Sequence, residues 1–213
     1  MINNREDVKE TPDEQILSML KKTATYELGF RTLMVKYQER LYHHIRRLVT
    51  THDDTDDVLQ NTFVKVHRGI AGFREQSGLY TWLYRIATNE ALSFLQLRKR
   101  KSALSLDYGD MAIHEKIAGD VFFDGDAAQA RLLTALETLP VKQRAVFNMR
   151  YYDEMGYEEM SKVTGTSVGA LKASYHHAAK KVEAQLKEEP HTETPVRTGR
   201  ADGEHRDIYE REK

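Results

Sequence analysis

One segment near the end of the chain constrains its fold more than any other: MGYEEMSKVTGTSVGALKASYHHAAKKVEAQL, residues 155–186. Tyr157, Met160 and Val163 recur at helical spacing, so they form the inner face of a short helix. Gly165 follows, and a tight turn between two helices requires the positive φ that glycine tolerates. The segment therefore predicts a helix-turn-helix.

The helix after this turn combines an apolar face with a basic face. Ser167 is placed to cap it, and apolar residues continue at helical spacing as far as Leu186. Two interpretations follow: a recognition helix that enters a DNA major groove, or an ordinary helical hairpin with a solvated basic face. The capped start and its small residues favour DNA binding. We expect the DNA contacts among Ser167, Lys172, Ser174, His176, His177, Lys180 and Lys181.

Apolar residues also recur at helical spacing upstream of this segment, in four stretches that predict four helices. A break between the first two is expected near Gly29. Weak periodicity then predicts a flexible linker before the second domain. The fold class is all-α, with two small helical domains, the second containing the helix-turn-helix. The predicted divisions are a first domain over residues 12–101, a linker over 102–126, a second domain over 127–187 and a disordered tail over 188–213.

The net charge of -1 is unusual for a protein that holds DNA alone, because non-specific affinity comes largely from neutralised phosphates. Basic residues are instead concentrated in short runs, one from Arg98 to Lys101 and another at Lys180 and Lys181. We therefore expect a larger partner to assist DNA binding. The chain has no Cys and no apolar run of signal-peptide or membrane-span length, which fits a soluble, cytoplasmic protein.

No sequence pattern indicates a metal site, a cofactor or an enzyme active site. The adjacent pairs His43–His44 and His176–His177 cannot place two rings on one helical face. The acidic run from Asp53 to Asp57 lacks the central Gly of a calcium loop, and it reads better as the charged start of a helix. Phosphate loops, nucleophile elbows and paired catalytic carboxylates do not occur in the sequence. We therefore expect no metal, no cofactor and no catalytic activity.

Three stretches together resemble the extracytoplasmic-function (ECF) sigma factors of the sigma-70 family. DDTDDVLQNTFVKVHRGIAGF, from Asp53, resembles their core-polymerase-binding region, and TWLYRIATNEALSFLQLRKRK, from Thr81, resembles their promoter-melting region. LETLPVKQRAVFNMRYY and the helix-turn-helix after it resemble their second domain. The likeness covers residues 12–187 in the family's order. It implies a sigma factor that binds core RNA polymerase and directs promoter-specific transcription initiation.

The resemblance also implies roles for particular residues. Residues 74–79 match the loop that holds a flipped base of the -10 promoter element, and the helix from Ser167 matches the one that reads the -35 element. Trp82 is expected in the core, whereas Tyr80 and Tyr84 are expected to be freer to meet bases. An anti-sigma factor is a further partner that the resemblance leaves open. The implied polymerase contacts are Asp56, Asp57, Gln60 and Phe63, and the implied -10 contacts are Arg74, Gln76, Ser77, Tyr84, Arg85 and Asn89.

Two other classes of protein remain as alternatives. A conventional helix-turn-helix regulator would carry a sensing domain, which in a receiver alternates strands with helices, and no strand is readable before Asp126. A purely structural helical adaptor leaves the basic run from Arg98 to Lys101 and the capped recognition helix unexplained. Tight binding to bacterial core polymerase distinguishes a sigma factor from both.

Overall fold

The computed structural model describes residues 8–104 and 127–187 of the chain. Regular structure within these two ranges is helical throughout, which confirms the predicted all-α class. The predicted tail, and the predicted linker from residue 105 onward, lie outside the described residues.

The four helices predicted for the first half of the chain are present. The last of them, Leu79–Leu104, carries the stretch that resembles a promoter-melting region. Short 3-10 turns at Thr23–Thr25 and Ile70–Gly72 connect the first helix to the second and lead out of the third. The helices are α1 (Asp13–Leu20), α2 (Tyr26–Val49), α3 (His52–Gly69) and α4 (Leu79–Leu104).

The break after α1 lies earlier in the chain than predicted. Residues 21–25 form it, and Gly29 lies inside α2. Gly29 is buried there because α1 approaches closely: a Cβ added to Gly29 would lie 2.8 Å from Cβ of Met19. A larger residue would push the two helices apart, so this glycine permits helix packing and does not make a turn.

The junction of α2 and α3 fixes where the acidic start of α3 points. Thr50 ends α2 in the left-handed region with a φ of 70°, and its backbone N–H donates to the carbonyl of Arg46. Thr51 then caps α3, because its hydroxyl accepts from the backbone N–H of Asp54 at 3.4 Å. The chain therefore reverses within two residues, and α3 packs back along α2 with its carboxylates at the positive end of the helix dipole.

The second half contains four further helices. Pro140 occupies the N-cap of the second of these, as expected for a residue that cannot donate a backbone hydrogen bond. The last two form the predicted helix-turn-helix. The helices are α5 (Ala127–Glu137), α6 (Val141–Tyr151), α7 (Tyr157–Thr164) and α8 (Val168–Lys187).

The apolar core forms two clusters, and one of them contains residues of both predicted domains. One cluster belongs to the second half alone and consists of Ala135, Leu136, Leu139, Phe147, Ala178 and Val182. The larger cluster fills the first half but continues into the second, where it includes Met149, Met155 and Met160, each 2 % exposed or less. The two halves therefore share a core in addition to the one that the second half keeps for itself.

Candidate functional site

The helix-turn-helix has the local geometry that its sequence predicts. Gly165 ends α7 in the left-handed region with a φ of 69°, and its N–H donates to the carbonyl of Ser161. The hydroxyl of Ser167 accepts from the backbone N–H of Ala170 at 3.4 Å, which makes it the cap of α8. Leu171, Ala178 and Val182 are the buried residues of α8, so the opposite face is left for solvent or a ligand.

The outward face of α8 carries the predicted DNA contacts. Lys172 is exposed but not isolated, because its Nζ lies 5.7 Å from the centroid of the Tyr157 ring, which fixes the cation beside the turn. Ser174 is half-buried. The other members of the predicted set are exposed on described helix, namely Ser167, His176, His177, Lys180 and Lys181. The face therefore presents cations and hydrogen-bond donors, and no carboxylate precedes Glu183 along it.

An apolar groove of about 610 Å³ lies between α2 and α3, where the polymerase contacts are predicted. Phe63 is only 6 % exposed and is part of the first core, but one side of its ring lines the groove. Asp56 and Gln60 are exposed at the edge, and Asp57 is exposed on the same helix. The residues that line the groove are Phe30, Met34, Gln38, Asp56, Leu59, Gln60, Phe63, Val64, His67 and Arg68.

The first part of the loop between α3 and α4 makes two side-chain contacts with the rest of the first half. Phe73 packs against Trp82 with ring centroids 5.1 Å apart, and Trp82 is half-buried against the core as expected. Glu75 adopts a φ of 55°, and its carboxylate accepts from Nζ of Lys21 at 2.6 Å. Arg74 is exposed between these two contacts, Gln76 is exposed after them, and Ser77 is half-buried. The loop thus presents polar side chains on both sides of Glu75.

Tyr84 does not have the exposure expected of it. Its ring is 2 % exposed, lies 4.8 Å from the His44 ring and 4.3 Å from the Tyr80 ring, and its burial raises the pKa of the phenol. The physical reason is that the ring packs within the larger core cluster, where its hydroxyl also donates to the carbonyl of Arg40 in α2 at 3.5 Å. Arg85 and Asn89, on the same helix, are exposed.

The residues of the basic run at the end of α4 differ in whether they are paired within the protein. Arg98 is engaged within the domain, because its guanidinium donates to Asp54 at the start of α3 at 2.7 Å. Lys99 and Arg100 are exposed beyond it. The run therefore supplies fewer unengaged cations than its sequence suggests.

A polar network between the two halves was not predicted. We call it the interdomain network, and Asp153 is at its centre. The Asp153 carboxylate is 4 % exposed and accepts from Nδ1 of His44 at 2.8 Å and from Arg47 at 2.6 Å. A carboxylate can only accept, so Nδ1 of His44 donates to it, and Nε2 is hydrogen-bonded to the hydroxyl of Thr88 at 2.8 Å. A residue after α6 is thereby joined to both α2 and α4.

Two further side chains of the network satisfy the end of α2. The last carbonyls of a helix have no partner within it. Arg144 donates to the carbonyl of Leu48 at 2.6 Å, and Asn148 donates to the carbonyl of Arg47 at 3.2 Å. Arg144 is 7 % exposed, and burial lowers the pKa of its guanidinium. Side chains of α6 therefore complete hydrogen bonds that belong to α2.

Only one member of the network gave a signal in the sequence. His44 lies three residues after Leu41 and four before Leu48, on the apolar stripe of α2, and it is 0 % exposed. A polar residue on such a stripe indicates a buried partner. Asp153 and Asn148 gave no comparable signal, because their partners are more than a hundred residues away in sequence.

The described residues contain no group of three or more His, Cys, Asp or Glu side chains that could hold a metal ion. No helix of the described ranges is long and apolar enough to cross a membrane.

Two family models match the chain, one to each half. "Sigma-70 region 2" matches residues 33–102, and "Sigma-70, region 4" matches residues 129–182. The first range runs from within α2 to near the end of α4, and the second runs from the start of α5 through most of α8. The chain belongs to the sigma-70 family. Region 2 therefore lies in the first half of the chain and region 4 in the second.

Curated relatives place the chain among the ECF sigma factors. It is 28 % identical over 166 residues to the RNA polymerase sigma-H factor of Pseudomonas aeruginosa, which covers 74 % of this chain and 86 % of that protein. It is 27 % identical over 167 residues to the ECF RNA polymerase sigma-E factor of Escherichia coli, with the same two coverages. These matches confirm the resemblance seen in the sequence.

Two solved structures share the fold. The sigma factor RpoE of Bartonella quintana, in complex with the anti-sigma factor NepR, matches with a TM-score of 0.62 at 23 % identity, over 75 % of this chain and 98 % of that one. CnrH, in complex with the cytosolic domain of CnrY, matches with a TM-score of 0.60 at 22 % identity, over 82 % of this chain and 96 % of that one.

Proposed function

We propose that this sigma factor engages polymerase and promoter through three separate surfaces and catalyses nothing itself. As a sigma factor it directs promoter-specific transcription initiation by core RNA polymerase. The observation that carries the assignment of surfaces is the division of exposed chemistry between the two family regions: an apolar groove with a carboxylate edge in region 2, and a cationic helix face in region 4.

The groove between α2 and α3 suits the core enzyme. Val64 is 42 % exposed and lines the groove, Asp56 and Gln60 lie at its edge, and Asp57 is exposed on the same helix. An apolar anchor ringed by polar residues is a common arrangement at tight protein interfaces. Phe63 supports the floor from within the core, so its contribution to binding is through the shape of the groove.

The loop of residues 74–79 and the exposed side of α4 suit the -10 element. Arg74, Gln76 and Ser77 offer donors and acceptors to an extruded base, and Arg85 and Asn89 follow on the adjoining helix. The exposed face of α8 suits the -35 element in the major groove, with Lys172 near the turn and Lys180 and Lys181 toward the phosphates. In the predicted domain divisions, residues 12–101 carry the groove and the -10 surface, and residues 127–187 carry the -35 surface.

The same proposal includes partners and location. An anti-sigma factor would compete for the surfaces that polymerase uses, and the two structural neighbours are sigma factors in complex with such proteins. A cytoplasmic location follows from the need to meet polymerase and the chromosome.

Run-off transcription tests the proposal. Purified core polymerase and this protein are incubated with genomic fragments, and the start sites are mapped. We expect new start sites with a shared -35 and -10 sequence, and no shared promoter among the starts would contradict it. The combined change Asp57→Ala and Gln60→Ala should weaken core binding, whereas Asp53→Ala, which removes an exposed charge at the start of the same helix, should not.

A further inference from the structure

Two cations of region 4 converge on one aromatic ring, that of Tyr157 at the start of α7. The guanidinium carbon of Arg150 lies 5.3 Å from the ring centroid, and Nζ of Lys172 lies 5.7 Å from it. Both cations are exposed, and neither forms an ion pair with a carboxylate within the described residues. The face of an aromatic ring attracts a cation at these distances. The Tyr157 ring therefore restrains both side chains.

The Tyr157 ring is itself held by its neighbours. Arg150, in α6, donates to the carbonyl of Met155 at 2.9 Å, which ties its guanidinium to the segment between α6 and α7. Tyr175 of α8 meets the ring edge-on, with the two centroids 6.5 Å apart. The ring is also half-buried against the larger core cluster. Lys172 thus has a partner whose own position is fixed.

This restraint matters because an unrestrained lysine reads DNA with little precision. Its ammonium is a point charge on a flexible four-carbon stem, which reaches phosphates as well as base edges. Lys172 lies one turn into α8, and the N-terminal part of a recognition helix is the part that contacts base edges. A lysine already held there loses less conformational freedom when it meets the O6 and N7 acceptors of guanine.

We propose that Tyr157 is a positioning residue for promoter specificity: its ring holds Lys172 toward the base edges, so that region 4 selects guanine at the position that Lys172 reads. The proposal rests on the proposed function, in which α8 lies in the major groove of the -35 element. Among the described residues no aromatic ring holds Lys180 or Lys181 in this way, so these two lysines bind phosphates without selecting a base.

Removing the ring tests the proposal. Tyr157→Leu and Tyr157→Met keep an apolar side chain, whereas Tyr157→Phe keeps the ring. Core polymerase carrying each variant is mixed with promoter duplexes randomised in the -35 element, and the bound duplexes are sequenced. The Leu and Met variants should lower the preference for guanine about two- to fivefold, at the one position where Lys172→Ala also lowers it. Tyr157→Phe should keep the preference.

A matched control removes a different tyrosine ring of region 4. Tyr151 is 53 % exposed, and among the described residues no cation lies over its ring. Tyr151→Leu should therefore leave the preference for guanine unchanged. An equal loss in Tyr151→Leu and Tyr157→Leu would overturn the proposal, because the loss would then not depend on a ring beside Lys172.

A double variant distinguishes positioning from a purely structural role. With Lys172→Ala already present, Tyr157→Leu should change the base preference no further, because the cation that the ring holds is gone. A further loss in the double variant, a loss spread over all positions, or an unchanged preference in Tyr157→Leu would each overturn the proposal. An unchanged preference in Lys172→Ala itself would instead overturn the placement of α8 in the proposed function.

Discussion

The two halves of this sigma factor differ in how far each depends on the other. Region 4 has an apolar cluster of its own, but α6, α7 and the segment between them also supply Met149, Met155 and Met160 to the cluster that fills region 2. No residue of region 2 among those described enters the smaller cluster. The dependence is therefore unequal. Region 4 has one core made only of its own residues, whereas the core of region 2 also contains residues of region 4.

The difference follows from the two faces of one helix. Phe147 of α6 packs in the smaller cluster, which belongs to region 4 alone. The centroid of its ring lies 5.3 Å from that of Tyr151 and 5.7 Å from that of Tyr175. Met149, two residues later, faces the shared cluster and is 0 % exposed. Residues two apart lie on different sides of a helix, so α6 serves both cores at once. Changing these two residues separately should reveal which core each half requires.

The largest expected effect is on stability. Phe147→Ala removes a buried ring and should cost about 3–5 kcal/mol, and Met149→Ala should cost about 2–5 kcal/mol. The effects should differ in place: hydrogen exchange should rise in α5, α6 and α8 for Phe147→Ala, but in α4 and α6 for Met149→Ala. Exchange that rises equally everywhere in both variants would mean that the protein has a single cooperative core.

The sequence predicted well wherever the deciding interactions are local. Gly165 and Ser167 act through hydrogen bonds to residues at most four positions away, and both have the predicted role. The break placed at Gly29 was wrong, because the reason for that glycine is the approach of Met19 in another helix. Sequence spacing contains the first kind of information and not the second.

Tyr84 and Asp153 show the same limit at the candidate site. The pattern around Tyr84 resembles a strand-binding helix, but it does not show that the ring packs against His44 of α2 and against Tyr80. Asp153 pairs with residues more than a hundred positions earlier. Such contacts depend on how two separately predictable units pack, which helical periodicity does not encode.

The second largest effect is expected on promoter opening, which is proposed for region 2. Binding of the closed promoter, which is proposed for region 4, should not change. Replacing residues 74–77 with Gly and Ser should abolish promoter opening, since extruding a base costs a few kcal/mol that the loop is proposed to repay. Binding of the closed promoter through region 4 should persist. A fluorescent base in the -10 element measures opening, and gel mobility measures binding.

A milder change in the same region provides the control for this loop. Lys21→Ala removes the exposed ion pair with Glu75 and leaves the loop sequence intact. An exposed pair contributes about 0–1 kcal/mol, so opening should slow only slightly. Normal opening by the variant with the replaced loop would move strand capture to Arg85 and Asn89 on α4.

The smallest effects are expected on the face of α8, where single side chains read or grip DNA. Lys172→Ala and His176→Ala should each cost about 1–3 kcal/mol at one base position and relax the preference there. Lys180→Ala should instead weaken binding to all sequences and reduce the salt slope by about 1. Lys187→Ala is the matched control, because this exposed lysine ends the same helix and pairs with Glu183 at 2.6 Å. Binding isotherms on promoter and scrambled duplexes, at several salt concentrations, separate the three outcomes. If Lys172→Ala and His176→Ala behave like Lys187→Ala, region 4 presents another surface to the -35 element, and its exposed cationic helix contributes only to solubility.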